Sequence, residues 1–144
     1  MKILKYAFIV LFTVGMMSCG SSGGDDTDKE APGVTITAPS ANQVFAPDDI
    51  ISASFTATDN EALKSYVVSV DFFETVSMAV KITPVKFAFD KSGTLSGKSQ
   101  TVPFDMELPT NAQEGKYKMT VTVTDASTEI NEKTVERIFE IKRE

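Results

Sequence analysis

The chain has no histidine, no tryptophan and one cysteine among its 144 residues. Without histidine there is no near-neutral proton shuttle, no Ser-His or Cys-His pair and no imidazole metal ligand. Hydrolase and zinc-enzyme chemistries therefore lose their usual parts. Carboxylates remain, yet no spacing selects one pair to be buried and tuned for acid-base work, so the sequence predicts a protein that is not an enzyme. A lone cysteine excludes an internal disulfide. Basic residues are also scarce, 14 against 20 acids for a net charge of −6, which predicts no nucleic-acid partner because phosphate backbones would be repelled.

A long hydrophobic run is missing too. Lys2 and Lys5 precede the apolar stretch from Tyr6 to Val14, which falls well short of the roughly 20 residues that a spanning helix needs and has the length of a signal-peptide core. The stretch runs into Gly15-Met16-Met17-Ser18-Cys19. This resembles the lipobox of bacterial lipoproteins, with Met16 where Leu is usual. The resemblance implies cleavage before Cys19, a diacylglyceryl thioether on its sulfur and an acylated amine, a practically permanent anchor since each buried methylene contributes about 0.8 kcal/mol. The competing reading is an ordinary secretory leader that leaves Cys19 as a stray thiol.

Residues 19–32, rich in Gly, Ser and Asp, cannot build a core and read as a tether with a reach of roughly 20 Å. Acids after a lipidated cysteine resemble the export signals of some surface lipoproteins of gut-type Gram-negative bacteria; here Asp25 and Asp26 stand several residues beyond it, and a solvated linker is the alternative. Removing the leader takes Lys2 and Lys5 and no acid. The organisation expected is a signal peptide over 1–18, a lipidated cysteine and flexible acidic linker over 19–32, and one folded domain over 33–144.

The rest of the chain alternates apolar and polar residues in short runs bounded by Pro, Gly, Asn and Asp, which predicts an all-β domain. Inward rows are expected from Val34, Ile36 and Ala38; from Ile51, Ala53, Phe55 and Ala57; and from Tyr66, Val68, Val70 and Phe72. A fourth strand is expected between Met78 and Asp90, with Val80, Ile82, Val85, Phe87 and Phe89 divided by Pro84, followed by a turn at Ser92-Gly93. Val102, Phe104, Met106 and Leu108 form the next row, then Tyr117, Met119, Val121 and Val123, then Val135, Phe139 and Ile141. Seven such runs fit a two-sheet β-sandwich.

The segment Leu108-Pro109-Thr-Asn-Ala112-Gln-Glu-Gly115-Lys-Tyr117 resembles the tyrosine corner of fibronectin type III, cadherin-like and bacterial immunoglobulin-like domains. The resemblance implies that the Tyr117 hydroxyl bonds to backbone upstream, with Gly115 permitting the tight turn before it; otherwise Tyr117 is a plain core aromatic. From lipobox to last strand the chain resembles small immunoglobulin-like lipoproteins of unknown function from Gram-negative gut bacteria. That implies a seven-stranded immunoglobulin-like sandwich in the cell envelope, lipid-anchored at the outer membrane on its periplasmic or surface face, and names no ligand.

Three surfaces are candidates for binding. Asp59, Asn60 and Glu61 in one turn would face Asp125 and Glu129 in another, with Asp28 and Glu30 arriving from the tether. An oxygen-rich set of this kind suits calcium; equally, Asp and Asn serve as ordinary turn residues. No other cofactor is expected. Phe73, on the outer face of its strand, and Phe45 are candidate partner contacts unless neighbouring loops cover them. Edge strands can accept a strand from another protein, although Pro84, Lys81 and Lys86 read as guards against it. The function expected is a noncatalytic, lipid-anchored binding or accessory module of the envelope that contacts a protein or glycan. The alternatives are a structural subunit or spacer in a surface assembly, and a calcium-stabilised adhesion-type domain.

Overall fold

The computed structural model describes residues 27–75 and 83–143. The leader, Cys19 and the tether up to Asp26 lie outside the described residues, as do Met78, Val80, Lys81 and Ile82 of the expected fourth strand. Within the described residues the chain is all β, with eight strands and no helix. They are β1 (Gly33–Ala38), β2 (Val44–Phe45), β3 (Ile50–Thr58), β4 (Leu63–Thr75), β5 (Phe89–Thr94), β6 (Ser99–Glu107), β7 (Gly115–Asp125) and β8 (Glu132–Ile141). One sheet has the order β1-β3-β6 and the other β2-β8-β7-β4-β5. All pairs are antiparallel except β2 with β8.

Period-two alternation explains the layers, because successive side chains of a strand point to opposite faces. In β7 every odd position is buried: Tyr117, Met119, Val121 and Val123 line the core, and Lys118, Thr120 and Thr122 between them stay partly exposed. Ile51, Ala53, Phe55 and Ala57 of β3 face them from the other sheet, with Val102, Phe104 and Met106 of β6 alongside. Phe55 and Tyr66 join the sheets edge to face, with ring centroids 5.2 Å apart. β8 adds Phe139 and Ile141 to the core and, in the same row, Arg137, whose Nη2 donates to Ile36 O of β1 at 2.9 Å. That bond crosses from one sheet to the other along the open side of the sandwich.

Three expectations are corrected. The strand count is eight, because Val44 and Phe45 form a two-residue strand alongside Glu140 and Ile141, too short to show any alternation. Val85 is 47% exposed and makes only an isolated bridge to Ala112, so the inward row expected there starts only at Phe87, which is buried, with Phe89 packed against the core. Ser92 and Gly93 are not a turn: they pair with Val67 and Tyr66 inside β5, and the chain reverses after Leu95. A side chain at 93 would sit 2.7 Å from the Tyr66 ring, so the glycine is there to admit that ring.

Candidate functional site

The acid end of the sandwich is built where β3 and β7 finish and β1 begins, since Gly33 pairs with Thr58 and Leu63 with Asp125. Asp125 continues the odd-position row of β7 and is therefore driven inside, with no exposure at all. Asp59 follows the last residue of β3, and Asp28 precedes β1. One carboxylate oxygen from each of Asp28, Asp59 and Asp125 lies within 4.8 Å of the other two.

Each acid spends its Oδ1 on local donors. Asp59 Oδ1 accepts from the amides of Glu61 at 3.0 Å and Ala62 at 2.8 Å, closing the β3–β4 turn. Asp28 Oδ1 accepts from Glu30 N at 3.0 Å and Asn60 Nδ2 at 3.1 Å. Asp125 Oδ1 accepts from Asn131 N at 3.0 Å and lies 2.7 Å from Ser127 Oγ, whose single proton it shares with the Glu129 carbonyl at 2.6 Å. Asn131 Nδ2 donates to Asp125 Oδ2 at 2.8 Å and to Asp28 O at 3.0 Å, clasping the segment before β1 to the end of β7.

The remaining oxygens are the informative ones. Asp28 Oδ2 and Asp59 Oδ2 are shielded from solvent and accept no hydrogen bond. Asp28 is half-buried as a residue, with its carboxylate turned inside. Burial pushes the Asp125 carboxyl up, but the hydrogen bonds from Ser127 and Asn131 outweigh it and hold it below its ordinary value, so the group stays ionised. Among the described residues the ion pairs are Lys116–Glu74, Lys118–Glu136 and Arg143–Glu114, none of which involves the three acids. Unit charges about 5 Å apart in a protein repel by roughly 3 kcal/mol per pair at an effective dielectric of about 20. The arrangement can hold a cation.

The structure brings together only part of the acidic set named from the sequence. Asp59 and Asp125 meet, joined by Asp28 from the tether side. Asn60 stands at the rim as a donor, Glu61 and Glu30 are exposed and contribute backbone amides, and Glu129 contributes its carbonyl. Asn131 and Ser127 hold the site together without belonging to that acidic set, and the polar run after Asp125 is their signal in the sequence.

At the opposite end the Tyr117 hydroxyl donates to Gln113 O at 2.7 Å and accepts, at a long 3.4 Å, from Phe87 N. Gly115 sits at φ 152°, where a Cβ would lie 2.5 Å from Glu74 O. Leu108 is buried and its amide bonds to Asp49 O, and Pro109 O accepts from Ala112 N. Arg143 closes this end by pairing with buried Glu114 at 2.8 Å. Phe73 is 52% exposed, with Lys118 Nζ 4.9 Å over its ring, whereas Phe45 turns its ring edge to Phe139 and belongs to the margin of the core. Lys86 lies over the Phe72 ring at 4.8 Å.

Distant likenesses exist among solved structures. A family 123 glycoside hydrolase from Clostridium perfringens shares 14% identity over 79% of this chain and 28% of its own, with a TM-score of 0.48. A DUF4466 family protein from Parabacteroides merdae shares 12% over 78% of this chain and 45% of its own, at 0.49. The sporulation control protein Spo0M from Bacillus subtilis shares 11% over 79% and 49%, at 0.41. The chain thus spans less than half of each, and likenesses this distant carry neither an activity nor a ligand to it. No curated protein matches the chain. A family model does match, across residues 17–141, and by that match the chain belongs to the DUF4625 family, a domain of unknown function.

Proposed function

We propose that the chain is a noncatalytic, lipid-anchored binding or accessory module of the bacterial cell envelope, an immunoglobulin-like sandwich that meets its partner at the end away from the membrane. The observation that carries this reading is the placement of exposed apolar side chains. An anchor at Cys19 leads into the sandwich at Asp28 and Gly33, so the acid end faces the membrane. Of the six large hydrophobics left exposed among the described residues, Val44, Ile50, Phe73 and Val85 lie at the opposite end, Val67 lies mid-sheet and Ile130 at the acid end. Apolar side chains gathered at one end of a soluble domain favour a protein partner.

The strand order, with β2 parallel to β8 at one edge, supports the immunoglobulin-like reading, and the family match beginning at Met17 takes in Cys19. The absence of histidine supports a noncatalytic role. Mass spectrometry of the mature amino terminus tests the anchor: a diacylglyceryl thioether on Cys19 is expected, and an unmodified thiol overturns it. A photo-crosslinking amino acid at Ile50 or Phe73 in intact cells is expected to capture one second protein, while the same probe at Ile130 captures none. Crosslinks only between copies of the chain favour the structural-subunit reading, and no product from either distal position overturns the binding reading.

A further inference from the structure

We propose that Asp28, Asp59 and Asp125 bind one calcium ion, and that the ion fastens the segment before β1 to the end of the sandwich. The inference stands whether or not the distal end meets a partner. Two independent observations meet at the site. Three carboxylates from three separate elements converge to within 4.8 Å, and two of their oxygens, Asp28 Oδ2 and Asp59 Oδ2, are closed off from water with no donor to satisfy them. A buried carboxylate oxygen with neither water nor donor is a costly arrangement unless something else supplies positive charge. No lysine or arginine among the described residues pairs with it.

Ligand chemistry selects the cation. Oxygens this close together can all reach one calcium ion at about 2.4 Å, whereas magnesium, at about 2.1 Å, demands a stricter geometry and holds its own waters more tightly. Three hard, anionic oxygens without nitrogen or sulfur suit calcium over a transition metal. The hydrogen bonds to Oδ1 of Asp59 and Asp125 fix those two carboxylates, so the ion meets two ligands already in place.

The consequence for the tether follows from which residue belongs to which part. Asp125 ends β7 and Asp59 directly follows β3 in the folded body, while Asp28 precedes β1 and is tied to that body by Asn60 and Asn131. With no ion, like charge pushes Asp28 out; with calcium, its carboxylate is drawn in and residues 27–32 dock. By linkage, calcium binds the docked state more tightly and thereby stabilises it.

The test is calorimetry and hydrogen exchange on the full chain in detergent at constant 0.15 M salt, titrated with calcium chloride and separately with magnesium chloride. We expect calcium to bind at one site, with a dissociation constant on the order of 10⁻⁴–10⁻³ M as in extracellular modules, and magnesium at least tenfold more weakly. Amide exchange over 27–33 should slow at least tenfold on saturation. Asp28→Asn, which lies outside the strands and leaves the body intact, should weaken calcium at least tenfold, and exposed Glu129→Gln by less than twofold. Absence of heat at 5 mM calcium, an equal response to magnesium, unchanged exchange over 27–33, or wild-type affinity in Asp28→Asn would each overturn the proposal.

Discussion

Tyr117 shows how much one hydroxyl can be asked to do. Its ring is wholly buried, stacked on Phe139 and edge-on to Phe72, so the phenol oxygen must find its partners inside the protein. It finds Gln113 O and Phe87 N, which ties the β6–β7 connection and the crossing before β5 to the first residues of β7. Tyr117→Phe keeps the packing and strands both backbone groups, so it should cost about 1–3 kcal/mol, read as a lower urea midpoint with an unchanged slope. Burial also pushes the phenol pKa up, against the Phe87 amide. A folded value above the unfolded value of about 10 means that this contribution is whole below about pH 10 and is lost as pH rises through the folded value. Urea midpoints taken between pH 9 and 11 should therefore fall with pH in the wild type, and less steeply in Tyr117→Phe.

Strands were legible where alternation was long enough to be counted, and illegible where a neighbouring element set the rule. The rows of β3, β4, β6 and β7 appear in the sequence because each strand runs nine residues or more with one face turned to the core. β2 escaped because two residues carry no period, and β5 because its Ser-Gly pair has the composition of a turn. Gly93 is the instructive case: it serves the Tyr66 ring of the adjacent strand, a requirement written in β4 and not in β5. The acid end divides in the same way. Turn chemistry placed Asp59 and Asp125 near each other, with Asp28 arriving from the tether, but the burial of Asp125 comes only from the continuation of the β7 row. Gly93→Val should push against the Tyr66 ring and cost about 1–3 kcal/mol, while Thr94→Val, exposed on the same strand, should stay within about 0.5 kcal/mol. Urea unfolding of the pair separates them, and equal midpoints would mean that the glycine is not there for the ring.

At the scale of the whole molecule, the described body contains no cysteine, so nothing covalent holds its two sheets together and burial must suffice. The sheets meet through few large side chains, with Phe55 from one sheet against Tyr66 from the other and Phe89 stacked on Phe104 at 5.7 Å. Phe55 has no exposed surface and sits on the middle strand of the three-stranded sheet, where neither β1 nor β6 can close over a gap without breaking its own pairing. Phe55→Ala should therefore leave most of its cavity open and cost about 3–5 kcal/mol. Against the roughly 5–15 kcal/mol that typically separates a folded domain from its unfolded chain, that is a fifth of the stability or more. Val67→Ala, on the exposed face of the five-stranded sheet, should cost little. Thermal unfolding followed by far-ultraviolet circular dichroism should show Phe55→Ala melting many degrees lower, or not folding at 37 °C, and Val67→Ala close to wild type. Similar melting of the two variants would mean that the sheets are held together by something other than their shared core.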